Sequence, residues 1–213
     1  MNQKAVGMNY LAHLYLSGND PEILVGNFIG DYVKGRRFTR YSASFRTGIL
    51  LHRHIDTFTD RHPVVRESTA LFKPLYNRYA GVVIDIIYDH LLAAHWNDYS
   101  DEELHLFVRR AHQILMRHYF GLPNRVKQFL PFLIKSRRLE TYRTFEGIEK
   151  TLNIMASHSS LPHRTNDALL YLEKHYGELH QQFAAFMPEM VVSSQAFLAS
   201  PDGFYNFNHA AIP

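Results

Sequence analysis

Along almost the whole chain, apolar residues recur at intervals of three and four and rarely alternate at two. That period is the face of an α-helix, not the pleat of a half-buried strand. No hairpin dipeptide sits between β-branched runs to signal paired strands. The expected fold class is therefore all-α. With 213 residues, 46% of them hydrophobic, the chain can bury a sizeable core. No repeat, low-complexity stretch or linker divides it, so a single domain over 1–213 is expected.

Punctuation sets the expected elements. A first helix covers about Met8 to Leu16, closed by the turn Ser17-Gly18-Asn19-Asp20. Pro21 suits the first position of a second helix, to about Val33. Lys34 to Tyr41 reads as a basic loop, and Ser42 as the cap of a third helix, Ala43 to Asp60. A fourth runs from about Val64 to Leu75 and a fifth from about Arg78 to Trp96. Ser100 and Glu103 read as a capping box for a sixth, ending near Tyr119. Helices at about 124–136 and 140–158 follow, then a loop at Ser159 to Pro162. A long helix from Thr165 to about Phe186, another after Pro188, and an irregular tail from Ser200 complete the chain.

Cysteine is absent, which removes disulfides and thiolate ligands and agrees with a reducing compartment. No apolar run approaches the roughly 20 residues that span a bilayer, and no signal-peptide pattern opens the chain. The expectation is a soluble, cytoplasmic protein with no membrane partner. Net charge is a modest +3, but it is unevenly spread. Tyr32 to Ile55 holds no acid and six basic residues: Lys34, Arg36, Arg37, Arg40, Arg46 and Arg53. Leu104 to Leu139 holds none either, against eight basic residues. Such stretches suit an anionic partner or simply a solvated face. No nucleic-acid motif accompanies them, so nucleic acid is not expected.

Three places break the hydrophobic pattern. In the fifth helix, Asp85 and Asp89 lie four apart within an otherwise apolar run, so both carboxylates share one face. An unpaired buried carboxylate is costly, so each must be paired, protonated or bound to a cation. Buried salt bridges to arginine are the alternative. In the third helix, His52, Asp56 and Asp60 form a stripe at i, i+4 and i+8, a donor set suited to Mn²⁺, Fe²⁺ or Zn²⁺. A plain His52–Asp56 helix pair would look the same. His54 points roughly 160° from His52. Near the N-terminus, Asn9 and His13 are four apart, as are Asn27 and Asp31. Gly26 and Gly30 there permit close packing or ligand approach. The histidines of the second half show no comparable cluster.

These motifs, Met8-Asn9-Tyr10-Leu11-Ala12-His13, Gly26 to Asp31, His52 to Asp56 with Thr59-Asp60, Tyr88-Asp89-His90 and His95-Trp96, resemble in order and spacing the acyl-carrier-protein phosphodiesterases. The likeness covers about the first 100 residues. In that family the chain usually starts at the equivalent of Met8, so residues 1–7 read as an upstream start or an extension, with no function assigned. The resemblance implies an all-helical, HD-phosphohydrolase-like fold. It also implies manganese-dependent release of 4'-phosphopantetheine from holo-acyl carrier protein. The chain departs from the standard HD motif: Asp89-His90 is reversed, and His52 and Asp56 are spaced.

On this reading His52, Asp56 and Asp89 hold a divalent metal, Mn²⁺ by the resemblance. His13 or Asp31 completes the shell, and Asp85 and Asp60 serve as further ligands or orienting groups. His90 or His54 protonates the leaving group. Lys34, Arg36, Arg37, Arg40 and Arg46 dock the acidic carrier protein. Two rivals stand beside this reading: a phosphohydrolase acting on a nucleotide such as a guanosine polyphosphate, and a non-enzymatic all-α binding protein.

Overall fold

The computed structural model of the chain describes residues 10–201. The expected start of the first helix at Met8 and Asn9, and nearly all of the tail, lie outside the described residues. Within them there are α-helices and short 3₁₀ turns and no strand, as the periodicity predicts. No helix among the described residues is long and apolar enough to cross a membrane.

The site is set by four helices. α1 (Tyr10–Tyr15) and α2 (Pro21–Phe28) are joined by a tight turn. The Asp20 side chain caps α2, accepting the amides of Glu22 at 2.8 Å and Ile23 at 3.2 Å, with Pro21 at the first helical position. α2 does not continue to Val33. It ends at Phe28 and tightens into a 3₁₀ turn, Gly30–Tyr32. The expected basic loop is itself a 3₁₀ turn over Gly35–Arg40.

α3 (Ala43–Arg61) lies directly against α2. Glycine makes that approach possible. A Cβ on Gly26 would stand 2.3 Å from the Phe45 carbonyl oxygen, and one on Gly48 would stand 2.2 Å from that of Ile23. No side chain larger than hydrogen fits either place without moving a backbone. Ser42 precedes α3 but does not cap it; its hydroxyl donates to Glu22 Oε2 at 2.7 Å.

α4 (Pro63–Tyr76) and α5 (Ala80–Ala94) follow as an adjacent pair. α5 is the most enclosed element. From Ile86 to Ala93 every residue is buried, including Asp89 and His90. α6 (Leu104–Arg117), α7 (Asn124–Lys135), the short α8 (Arg138–Thr141), α9 (Phe145–His158), α10 (Thr165–Lys174) and α11 (Tyr176–Ala199) complete the set. Buried apolar residues from Tyr10 to Phe197 form one continuous cluster.

Three boundaries differ from expectation. No capping box forms before α6: the Ser100 hydroxyl pairs with the backbone of Glu102 instead. The expected helix at 140–158 is split into α8 and α9, with Thr144 capping α9 through the Gly147 amide at 3.1 Å. The last long helix breaks at His175 and runs straight through Pro188. A proline removes one helical hydrogen bond, but Phe183, Phe186, Met187 and Met190 are all buried around it. Packing on both sides of the proline holds the helix together.

Candidate functional site

His13 comes from α1, Asn27 from α2, Asp31 from the following 3₁₀ turn, and His52 and Asp56 from α3. The Gly26–Gly48 contact between α2 and α3 brings these elements within side-chain reach. His13 and His52 are buried and stack face to face, with centroids 4.2 Å apart. Asp56 bridges them from the open side: its Oδ1 lies 3.3 Å from His13 Nε2 and its Oδ2 3.4 Å from His52 Nε2. Asp31 Oδ1 approaches His52 Nε2 at 3.6 Å. One ligand atom each from His13, His52 and Asp56 falls within a 4.8 Å sphere of mutual distance.

The hydrogen-bond network decides the tautomer of His13. The Asn27 amide nitrogen donates to the His13 carbonyl at 2.8 Å and to Ser17 Oγ at 3.0 Å. Ser17 in turn donates to the His13 carbonyl at 2.7 Å. Asn27 Oδ1 is thus the acceptor facing His13 Nδ1 at 2.8 Å, so Nδ1 carries the proton. Nε2 is left with a bare lone pair pointing at a carboxylate. Two acceptors 3.3 Å apart repel unless a proton or a cation lies between them. Consistently, His13 Nε2 and both ring nitrogens of His52 are buried without a hydrogen-bond partner. That orphaned set, two imidazoles and a carboxylate around one point, fits a divalent ion.

Charge reinforces this. Burial and the neighbouring His52 hold the His13 pKa below its ordinary value, against the opposing pull of Asp56. Burial also acts to lower His52, but contact with Asp31 and the charges of Asp56 and Asp31 outweigh it and raise its pKa.

Gly30 has a specific place in this arrangement. A Cβ there would stand 2.3 Å from Cγ of the His52 ring. The glycine is the wall against which the imidazole lies.

Asp85 and Asp89 separate. Asp89 is fully buried, and its two oxygens accept the amides of Leu11 at 3.0 Å and Ala12 at 2.9 Å. These are first-turn donors of α1 that have no helical partner. Asp89 thus caps α1 from another helix, and it is not among the clustered donors His13, His52 and Asp56. Burial pushes its pKa up to about 8, with the two amides pulling the other way. Asp85, one turn earlier, has no hydrogen bond or ion pair with any described residue. Burial, followed by the charges of Asp56, Asp60, Asp89 and Asp31, raises its pKa well above the ordinary carboxylate value. It is partly exposed despite this dense surrounding. Asp60 is exposed at the end of α3 and is felt by Asp85 through its charge.

The two expected proton donors are turned elsewhere. His54 Nε2 meets Ser193 Oγ at 2.8 Å and its ring stacks on Phe197, which faces it to α11. His90 Nδ1 donates to the Tyr142 carbonyl at 2.7 Å, and its ring packs on Phe145 and Tyr176. Both are therefore held by partners away from the imidazole pair. In the basic turn, Arg53 points inward, donating to the Val33 and Gly35 carbonyls at 2.8 and 2.7 Å and lying over the Phe38 ring. Arg36, Arg37, Arg40 and Arg46 are exposed and make no ion pair with any described residue. Lys34 approaches Asp31 at 3.9 Å. Ser17, which orders the Asn27 amide, was not signalled by the sequence, where it reads as a turn residue.

The sequence model of one family, described as acyl carrier protein phosphodiesterase, matches residues 8–190. A protein of Enterobacter sp. (strain 638) with that name is 35% identical over 189 residues, covering 88% of this chain and 98% of its own length. Relatives of the same name from Klebsiella pneumoniae subsp. pneumoniae and Salmonella agona are 36% and 34% identical, each over 86–88% of this chain and 96–97% of their own. No solved structure matches the chain. The match of family model and relatives spans every helix that contributes to the imidazole–carboxylate cluster, and the chain belongs to the acyl carrier protein phosphodiesterase family.

Proposed function

We propose that this chain hydrolyses holo-acyl carrier protein to apo-acyl carrier protein and 4'-phosphopantetheine. The observation that carries the reading is the convergence of the bare Nε2 of His13, the partnerless His52 ring and the Asp56 carboxylate. Relatives bearing the phosphodiesterase name align across it. A divalent ion held by His13, His52 and Asp56, with Asp31 beside it, would polarise a phosphoryl oxygen and acidify a bound water. By the family resemblance the ion is expected to be Mn²⁺, one of several divalent ions that a mixed His/Asp set accepts.

The chain's own groups do the positioning. Asn27 fixes the His13 tautomer, and Ser17 fixes Asn27. Gly30 leaves the space into which His52 fits. Asp85 and Asp60 supply further negative charge at the edge of the cluster, as additional ligands or as groups that orient water. In the overall reaction water adds to phosphorus, the bond from phosphorus to the carrier's serine oxygen breaks, and that oxygen leaves with a proton. Since His54 and His90 are engaged elsewhere, the proton comes from this carboxylate group or from solvent.

Arg36, Arg37 and Arg40 lie on the 3₁₀ turn between Asp31 and α3, a turn tied to α3 by Arg53, and Arg46 lies in the first turn of α3. They form the docking edge for an acidic carrier, attracting it from a distance with an effect that salt weakens. Reversing Arg36, Arg37 and Arg40 to Glu should raise KM for the carrier about tenfold or more with a smaller change in kcat. An unchanged KM removes the turn from the docking edge.

The direct test is mass spectrometry of holo-carrier incubated with metal-stripped protein, with and without Mn²⁺, beside Asp56→Asn. Conversion to apo-carrier that needs both the ion and Asp56 supports the reading. Conversion without the ion sinks the metal role. No conversion by folded protein turns the search to nucleotide phosphates.

A further inference from the structure

At the other end of α5, a second group of imidazoles and carboxylate lies on residues that the proposed hydrolysis does not use. α5 stops at Ala94, and a 3₁₀ turn, Trp96–Asp98, follows. His95 and Asp98 lie three apart on this turn. His180 reaches the same place from α11, 85 positions further along the chain. The His95 and His180 rings stack with centroids 3.9 Å apart and planes within 21°. A ligand atom from each of His95, Asp98 and His180 lies within 4.8 Å of the others.

Two further contacts make this more than a chance pair of surface histidines. His95 Nε2 lies 3.2 Å from the Tyr176 hydroxyl, and His95 Nδ1 lies 3.9 Å from Asp98 Oδ2. If Nε2–H donates to the tyrosine oxygen, Nδ1 is the bare nitrogen and it faces the carboxylate. That is the arrangement in which an outer hydrogen bond fixes a ligand histidine. Stacked imidazoles cannot both be protonated cheaply. His95 and Asp98 also line a cleft of about 820 Å³, so an ion can enter from solvent.

We propose that His95, Asp98 and His180 bind a second divalent ion of the zinc class (Zn²⁺, with Co²⁺ as its spectroscopic stand-in). Two imidazoles against one carboxylate favour these borderline ions over Mn²⁺ or Mg²⁺, which prefer oxygen-rich sets. Three protein ligands leave a fourth position for water or a cleft ligand. The ion would tie the end of α5 to α11. α11 also holds α3 through the His54–Ser193 bond, and α4 through Ser68–Gln182. The proposal does not depend on the hydrolytic reading.

The chain supplies its own reporter, because its one tryptophan, Trp96, is adjacent to His95. The experiment titrates the metal-stripped full-length protein with Co²⁺ and follows Trp96 fluorescence. Saturable quenching is expected in the parent and in Asp56→Asn. Loss of quenching, or affinity weakened about tenfold or more, is expected in His180→Asn and in the exposed-site variant Asp98→Asn. Melting temperatures without metal should match the parent, and if His180→Asn fails to fold, Asp98→Asn decides. Quenching that persists unchanged in Asp98→Asn and His180→Asn, or that disappears only in Asp56→Asn, overturns the proposal.

Discussion

Asp85 and Asp89 stand one turn apart on the same helix, yet they belong to two different regions. Around Asp89 the protein is closed and fully hydrogen-bonded: its carboxylate takes two amides of α1 and has no access to solvent. Around Asp85 the protein is short of partners: burial, then four other carboxylates, raise its pKa and no described donor meets it. The first region holds α1, and therefore His13, in place. The second leaves a carboxylate without a described donor. A buried carboxylate is thus not a mark of chemistry by itself; what decides is whether the surrounding backbone already satisfies it.

The largest effect that tests this contrast is on folding. Asp89→Ala leaves two buried amides without an acceptor, at about 1–3 kcal/mol each. Urea unfolding should show a loss of about 2–5 kcal/mol, with activity falling in parallel. A variant as stable as the parent would mean that α1 does not depend on this cap. Asp85→Asn should behave in the opposite way. Burial and the neighbouring carboxylates raise the Asp85 pKa in the metal-free protein, which favours the neutral carboxyl, and asparagine is close to it in shape. Metal-free stability should hold to within about 0.5 kcal/mol. Turnover and the rise in melting temperature with Mn²⁺ should both fall. Equal destabilisation by the two substitutions would erase the distinction between the regions.

A smaller and more local effect comes from Gly30→Ala. The new methyl would stand 2.3 Å from the His52 ring, so the imidazole must shift. Because a displacement of about 1 Å at a reacting centre can cost up to a hundredfold, kcat/KM should drop about 10- to 100-fold. Because the methyl would also stand 2.4 Å from the His52 Cβ, the Gly30–Tyr32 turn must move away from α3, and some stability should be lost with the activity. Unchanged kcat/KM would show that His52 tolerates another position.

The helices were readable because their signal is repeated along every turn: an apolar residue every three or four positions survives individual exceptions. What could not be read was which partner each polar residue finds. The spacing of Asp85 and Asp89 puts both on one face, but the donors that claim Asp89 come from positions 77 and 78 residues away. His13, His52, Asp56 and Asp31 were all visible as donors at helical spacing. That His13 stands in the ion-holding group and Asp89 apart from it depends on how α1 lies against α5, which periodicity does not encode. The stacking of His95 on His180 joins two helices with no sequence signal between them. Pro188 misled in a simpler way, because a local breaker was weighed without the packing that overrides it.

The smallest effect concerns Tyr88, between the two aspartates on α5. Its hydroxyl lies 2.7 Å from Ser68 Oγ, and Ser68 lies 2.6 Å from Gln182 Oε1. Since that amide oxygen can only accept, Ser68 donates to it and Tyr88 donates to Ser68. The chain of donors links α5, α4 and α11. Burial pushes the Tyr88 pKa up to about 12, against the Ser68 bond and with help from the Asp85 charge. The folded state therefore keeps a proton that the unfolded chain releases near 10.0. The stabilisation is complete below pH 10 and is lost as pH rises towards about 12. Tyr88→Phe should cost about 1 kcal/mol at neutral pH, the net worth of one hydrogen bond. It should also flatten this alkaline fall, measured as unfolding midpoints across that window. If the fall persists with phenylalanine in place, another group controls it, with Tyr76 the first to test because burial raises it to about 12 as well. If neutral stability drops by as much as in Asp89→Ala, the closed region of α5 extends through Tyr88, and the boundary between the two regions lies at Asp85 itself.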